Sequence, residues 1–273
     1  MTEVVASRRA VRAAARRRRG RRGAAIAAAS TLVVIGGLIA IVVTSPGWDA
    51  VKQTFFSWPD FKRSFPTVLS GFWLDVKLFC IVEVVVLALG MVVALVRTSR
   101  APALFPLRLL AVVFTDVLRG VPTILLVFLI GFGVPALGLA GVPTDAVVLG
   151  AAALALSYSA YVAEVYRAGI RSIHPSQRAA ALSLGLTEAQ ALRHVILPQA
   201  VRRVVPPLLN DFVALQKDVA LVSILGPLEA FRQAQIDASA NFNYTPLLAA
   251  AALYLCVTVP LARIVDRMQA RQT

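Results

Sequence analysis

Two cysteines, two histidines and fourteen acidic residues are all that this 273-residue chain offers for thiol, metal or acid–base chemistry. Cys80 and Cys256 fall inside apolar runs, without the second cysteine that a metal site or a disulfide framework requires, and are expected to be packing residues. His174 and His194 stand among basic residues without ligand spacing, so neither metal binding nor histidine catalysis is expected. No G-x-x-x-x-G-K-S/T loop occurs, which excludes nucleotide hydrolysis of the usual kind by this chain alone. The chain is therefore expected to be no enzyme and to hold no cofactor of its own.

Charge is scarce as well, at 15% of residues against 58% hydrophobic, and it is segregated so that long apolar runs remain. About 20 apolar residues cross roughly 30 Å of hydrocarbon as a helix. Runs of that kind are predicted at residues 24–44, 71–96, 120–139, 146–163, 204–227 and 246–262. The short alternating strands of a membrane barrel are missing, so the fold class is an all-α polytopic membrane protein of about six transmembrane helices. A net charge of +14 raises nucleic acid as a partner. The basic residues flank the spans without interleaved aromatics, however, which favours a topogenic or anionic-lipid role and no nucleic acid.

Lys and Arg also set the orientation. With both termini cytoplasmic, 22 of the 28 basic residues lie inside and only Lys52, Lys62, Arg63 and Arg232 outside, with Lys77 and Lys217 within spans. Residues 1–23 read as a basic cytoplasmic tail. Ser7-Arg8-Arg9 resembles the start of a twin-arginine signal, but the following run is too long for a cleaved signal and reads as an uncleaved first helix over 24–44. Residues 45–66, with Trp48, Phe55, Phe56, Trp58 and Phe61, read either as an amphipathic extracytoplasmic segment or as an ordinary packed loop. The remaining boundaries are a core over 67–267 and a cytoplasmic tail over 268–273.

Residues 174–200 have the grammar of two short helices joined by a turn. Pro175 suits a first helical position, Gly185 stops the helix in the left-handed region, Thr187 with Gln190 forms a capping box, and Pro198 is read as the end of the second helix.

Ionisable groups at membrane depth are functional candidates by default. The second run carries Glu83 near its middle, readable as functional or as a protonated carboxyl bonded to another helix. Asp75 and Lys77 lie near its outer end, within reach of the interface. In the fifth run Asn210 and Lys217 are seven apart, hence on nearly one face, with Asp211 and Asp218 on the adjacent one. This polar stripe fits either the route of a zwitterion or a structural network with Glu164 or Glu83.

Several of these segments resemble one family. The loop matches the pattern E-A-A, three residues, G, nine residues, I, one residue, L-P of ABC importer membrane subunits: Ala180 and Ala181 are the two alanines, Leu184 precedes the glycine Gly185, Thr187 follows it, Ile196 stands near the isoleucine, and Pro198 closes the pattern. Ala179 replaces the family glutamate, whose polar contact must then be absent or supplied by Arg178 or Glu188. Arg119-Gly120-x-Pro122, with Val121 for threonine, resembles the R-G-T-P segment of the polar amino-acid branch. Ala160-Tyr161-x-Ala163-Glu164-x-x-Arg167-x-Gly169 resembles that branch's A-Y-x-A-E-x-x-R-x-G run, and Asn210-x-Phe212, Lys217-Asp218 and Leu221-Val222-Ser223 follow in order.

The resemblance implies a type I ABC importer fold, with a family core of five helices plus the extra N-terminal helix. It implies a permease subunit for polar amino acids in the plasma membrane of a prokaryote, coupled through the 174–200 loop to two ATPase subunits that bind ATP and Mg. A second permease, identical or homologous, and an extracytoplasmic substrate-binding protein complete the set. The alternative is a secondary amino-acid transporter driven by an ion gradient through Glu83 or Asp211, although no inverted repeat is visible. A third reading, a membrane scaffold, has no use for buried charge.

Overall fold

The computed structural model describes residues 23–24, 26–99 and 101–270, so the basic tail before Gly23 lies outside the described residues. The chain divides into two compact units, up to Phe56 and from Ser57 onward. In the first, α1 (Ile26–Val43) is an 18-residue apolar helix with no buried side chain, long enough to cross a membrane. It is followed by α2 (Trp48–Phe55), where Asp49 and Lys52 pair at 2.8 Å on the polar side.

The second unit begins with α3 (Trp58–Thr98), which Ser57 caps and which continues for 41 residues through Pro66. At 1.5 Å per residue it is about 60 Å long, twice the hydrocarbon thickness. The segment expected over 45–66 is therefore not one piece. Its first half holds α2, and its second half is the start of α3, where Trp58, Phe61 and Phe65 stack at 5.3 and 5.1 Å between ring centres.

The next expected span, over 120–139, begins at a bend and is formed by a helix of 14 residues. Helix α4 (Phe105–Gly120) ends at Gly120, and the chain turns by 106° at Val121-Pro122 into α5 (Thr123–Ala136). Pro122 cannot donate to the ladder of α4 and drives the residue before it into extended backbone, as found at Val121, ψ 132°. Helix α6 (Ala146–Arg171), capped by Asp145, runs through the centre and packs on α3, α4, α5 and α9 (Leu197–Asp218).

Two short helices, α7 (Pro175–Ser183) and α8 (Glu188–Ala191), connect α6 to α9. After α9 the chain tightens into a 3₁₀ segment, Val219–Leu225, and ends in α10 (Ala230–Asn241) and α11 (Thr245–Ala270).

Four helices, plus the bent α4/α5 pair, are long and apolar enough to cross a membrane among the described residues, against the six spans expected. The difference lies in α9, which is long enough but carries Arg202, Arg203, Asp211, Lys217 and Asp218. It also begins at Leu197 and stops at Asp218, rather than covering 204–227.

Packing follows the logic of a lipid solvent, in which apolar side chains gain nothing by hiding from their surroundings and small residues let backbones approach. The core is accordingly Val82, Val86, Ala153, Leu154, Leu215 and Val222 with their neighbours, while Ile81, Val84 and Val92 point outward. At Gly71 backbone meets backbone: a Cβ there would stand 2.6 Å from the carbonyl carbon of Glu229. The same logic overturns the expectation for Cys80 and Cys256, both of which are exposed on their helices instead of packed.

Candidate functional site

Two arrangements carry the functional geometry. The first is the helix-turn-helix between α6 and α9. His174 Nδ1 receives the Ser176 N–H at 3.2 Å, and Pro175 takes the first helical position of α7. Gly185, φ +83°, closes α7: its N–H donates to Leu182 O at 3.0 Å, and the Leu186 N–H reaches back to Ala181 O at 3.2 Å. Thr187 and Gln190 then make the reciprocal bonds of a capping box, at 2.9 and 3.3 Å.

The turn holds Leu184 83% exposed beside Ala180, while Ala181 is buried against the scaffold. Arg178 and Glu188 form a bidentate pair across α7 and α8, at 2.9 and 2.7 Å. They staple the helices one residue away from Ala179, which lines a cavity of about 880 Å³ with Thr98, His174 and Leu192.

Pro198 does not end the second helix. Residues Leu192–Ile196 widen into a π-helical turn, in which Leu197 N–H bonds to Leu192 O, and the chain continues into α9 with Pro198 in its first turn. The widened turn gives room to the proline ring, which donates no hydrogen bond and would crowd a regular ladder.

The second arrangement is a polar pocket of about 210 Å³ lined by Thr123, Tyr158, Tyr161, Asp211, Ala214 and Asp218. It sits where α5 starts against α6 and α9. Thr123 Oγ1 and Ser157 Oγ are 3.1 Å apart, joining α5 to α6. Tyr158 donates to Asp218 Oδ2 at 2.7 Å, and Asp211 Oδ2 is buried without a partner among the described residues. Glu83 on α3 lies within electrostatic reach of Asp211. Gln216 accepts from Thr258 at 2.7 Å and fixes α9 to α11.

The two faces read from the sequence separate as their spacing requires. Asp211 and Asp218 face the pocket, whereas Asn210 and Lys217 are both exposed. Glu164 is in neither group. Arg97 of α3 donates to its Oε2 at 3.0 Å and Arg167 holds both its oxygens, so it is the centre of an ion-pair cluster tying α3 to α6. Sequence spacing had no means of finding Arg97, 67 positions away. It also missed Tyr158, whose only signal was a tyrosine one turn before Tyr161 and Val162.

Residues 87–273 match the family model of the binding-protein-dependent transport system inner membrane components. The chain belongs to that family. Relatives of this inner membrane component include the probable amino-acid permease protein YxeN of Bacillus subtilis, 35% identical over 74% of this chain and 89% of its own length. The glutamine transport system permease protein GlnP of Escherichia coli is 32% identical over 79% and 97%. Among solved structures, a chain of an amino acid ABC transporter crystallised with histidines shares 33% identity and a TM-score of 0.70, covering 79% of this chain and 98% of its own. A chain of the MetNI methionine ABC transporter, 19% identical with a TM-score of 0.56, shares the fold. These likenesses give this inner membrane component the type I importer fold and place it among ABC permeases rather than ion-driven carriers.

Proposed function

We propose that the chain is the translocation subunit of an importer for polar amino acids, forming half of the pathway beside a second permease. The observation that carries this reading is the pocket of about 210 Å³ bearing Asp211 and Asp218, on a chain that also presents a rigidly capped, exposed helix-turn-helix. The pocket is smaller than the 300–1,000 Å³ typical of drug-sized ligands and suits a small polar molecule. Its carboxylates and the Tyr158 and Thr123 hydroxyls meet an α-ammonium group. Lys217, exposed beside Asp218, is free to take the α-carboxylate once the second subunit closes the pathway.

The chain carries no nucleotide-binding loop, so the energy comes from outside it. Two ATPase subunits, holding ATP and Mg, receive Leu184 and the Gly185 turn in a surface groove, with Ala180 and Thr187 framing the contact and Pro198 passing motion into α9. ATP-driven closure moves this loop, and α6 and α9, which flank it, carry the change to the pocket. An extracytoplasmic binding protein delivers the substrate to the opposite face. Both termini then lie in the cytoplasm, and the chain lies in the plasma membrane of a prokaryote.

Reconstitution of the permease with its ATPase and binding protein in vesicles tests the reading. Asp211→Asn removes the unpartnered charge from the pocket while leaving the loop intact. Amino-acid uptake is expected to fall at least tenfold with ATP hydrolysis largely retained. Unchanged uptake would remove the pocket from the pathway.

A further inference from the structure

Away from the pocket, α3, α10 and α11 meet at three side chains that hold more carboxylate than their surroundings can serve. Asp75 is 2% exposed and Glu229 0% exposed. Tyr254 Oη lies between them, 2.8 Å from Asp75 Oδ2 and 3.3 Å from Glu229 Oε2. A phenol has one hydrogen and can donate to only one of these oxygens. Glu229 accepts the Phe231 N–H at 2.7 Å and the Arg232 N–H at 2.6 Å, as an ionised cap of α10 does. Apart from Tyr254, Asp75 Oδ2 meets only the Ala230 N–H, in a long bond of 3.3 Å, and Oδ1 is buried without a partner among the described residues.

No cation among the described residues offsets the pair. Arg232 on α10 directs Nη1 to Gln235 at 2.8 Å, and Lys77 on α3 lies over the ring of Trp73, 5.8 Å from its centre. On α11 the facing group is Tyr254 itself, and its ring is packed edge-on against Phe72 at 5.4 Å. Val68, Ala230, Ala234 and Ala250 close the rest of the shell with apolar surface.

Nor can the carboxyls separate. The backbone of Glu229 rests on Gly71, one turn before Asp75, with no space for even a methyl group between them. Two ionised carboxylates held in such a place repel each other and lack solvation, so one must carry a proton.

We infer that Asp75 and Glu229 hold a single shared proton through Tyr254, so that the seat of α10 on α3 is a proton-binding site. Asp75 is the neutral acid and donates to Tyr254 Oη, which in turn donates to the Glu229 carboxylate. This arrangement gives every short contact in the cluster one hydrogen. The folded protein thereby binds one proton that the unfolded chain releases at neutral pH. Stability consequently falls as pH rises from the ordinary carboxyl range, where the unfolded chain loses its proton, to the pH at which the folded cluster loses its own and two charges are trapped beneath the first turn of α10.

Infrared difference spectroscopy of the membrane-reconstituted permease tests this directly. At neutral pH the wild type is expected to show a protonated-carboxyl stretching band that shifts in D₂O, fades at alkaline pH and is missing from Asp75→Asn. Thermal unfolding supplies the second readout: from mildly acidic pH up to the pH at which the band fades, the wild-type unfolding constant should rise by up to about tenfold per pH unit relative to that of Asp75→Asn, and the difference should level off above it. Should Asp75→Asn fail to fold, Tyr254→Phe keeps both carboxyls, breaks the relay and should move the same band to higher frequency. A wild type with no band that depends on Asp75 or Tyr254, or parallel pH slopes in wild type and variant, overturns the inference.

Discussion

Lys217 and Asp218 are adjacent in the chain, yet the structure gives them different company. Asp218 takes its hydrogen bond from Tyr158, Glu164 is held by Arg97 and Arg167, and Lys217 is exposed without an ion pair among the described residues. Removing one member of a buried pair costs about 3–5 kcal/mol because the other is left unpaired; that situation does not arise at Lys217. Lys217→Met is therefore expected to assemble with its partners at wild-type yield while uptake falls, as measured by size-exclusion chromatography and vesicle transport. Poor assembly that Lys217→Met/Asp218→Asn restores would show instead that the lysine serves Asp218.

At the scale of elements, the α7–α8 turn depends on local backbone chemistry more than on packing. A Cβ at Gly185 would meet nothing within 4 Å, so the constraint there is its φ of +83° and not space. A β-branched residue in that conformation costs roughly 1–2 kcal/mol or more, enough to shift the turn and the exposed Leu184 beside it. Gly185→Val is expected to lower the transport obtained per ATP hydrolysed by the assembled complex, with overall helicity unchanged by circular dichroism. The Arg178–Glu188 staple is half-exposed and contributes under about 1 kcal/mol to stability. Its consequence is geometric, because it fixes the angle between two helices at the place where Ala179 has no polar group to offer.

For the whole molecule, orientation is the property on which the assignment of partners depends. Arginine-rich segments on one side predict that both termini and the α7–α8 loop share the cytoplasmic face. Single cysteines introduced at Leu184 and at Phe242, 90% exposed between α10 and α11, should then react from opposite sides with a membrane-impermeant thiol reagent in a background lacking Cys80 and Cys256. Labelling of both from one side would invert or break the proposed arrangement.

The capping residues of the loop are legible in the amino-acid order by itself, because a Schellman turn and a capping box are built from neighbours within six residues and their side chains declare themselves. So is the membrane class, which follows from apolar runs alone, and so is the split of α9 into two faces, which follows from helical periodicity. Span number and side-chain partners are decided only by the tertiary structure. The bend at Pro122 sets α5, the helix of the 120–139 run, at 106° to α4, and α9 keeps Arg202, Arg203 and Lys217 exposed while turning Asp211 and Asp218 to the pocket. Arg97 finds Glu164, Tyr158 finds Asp218 and Tyr254 finds Asp75 across 67, 60 and 179 positions. Nothing local encodes such pairs. They exist because helix packing brings distant polar groups into one low-dielectric space, where each must find the partner that water would otherwise supply.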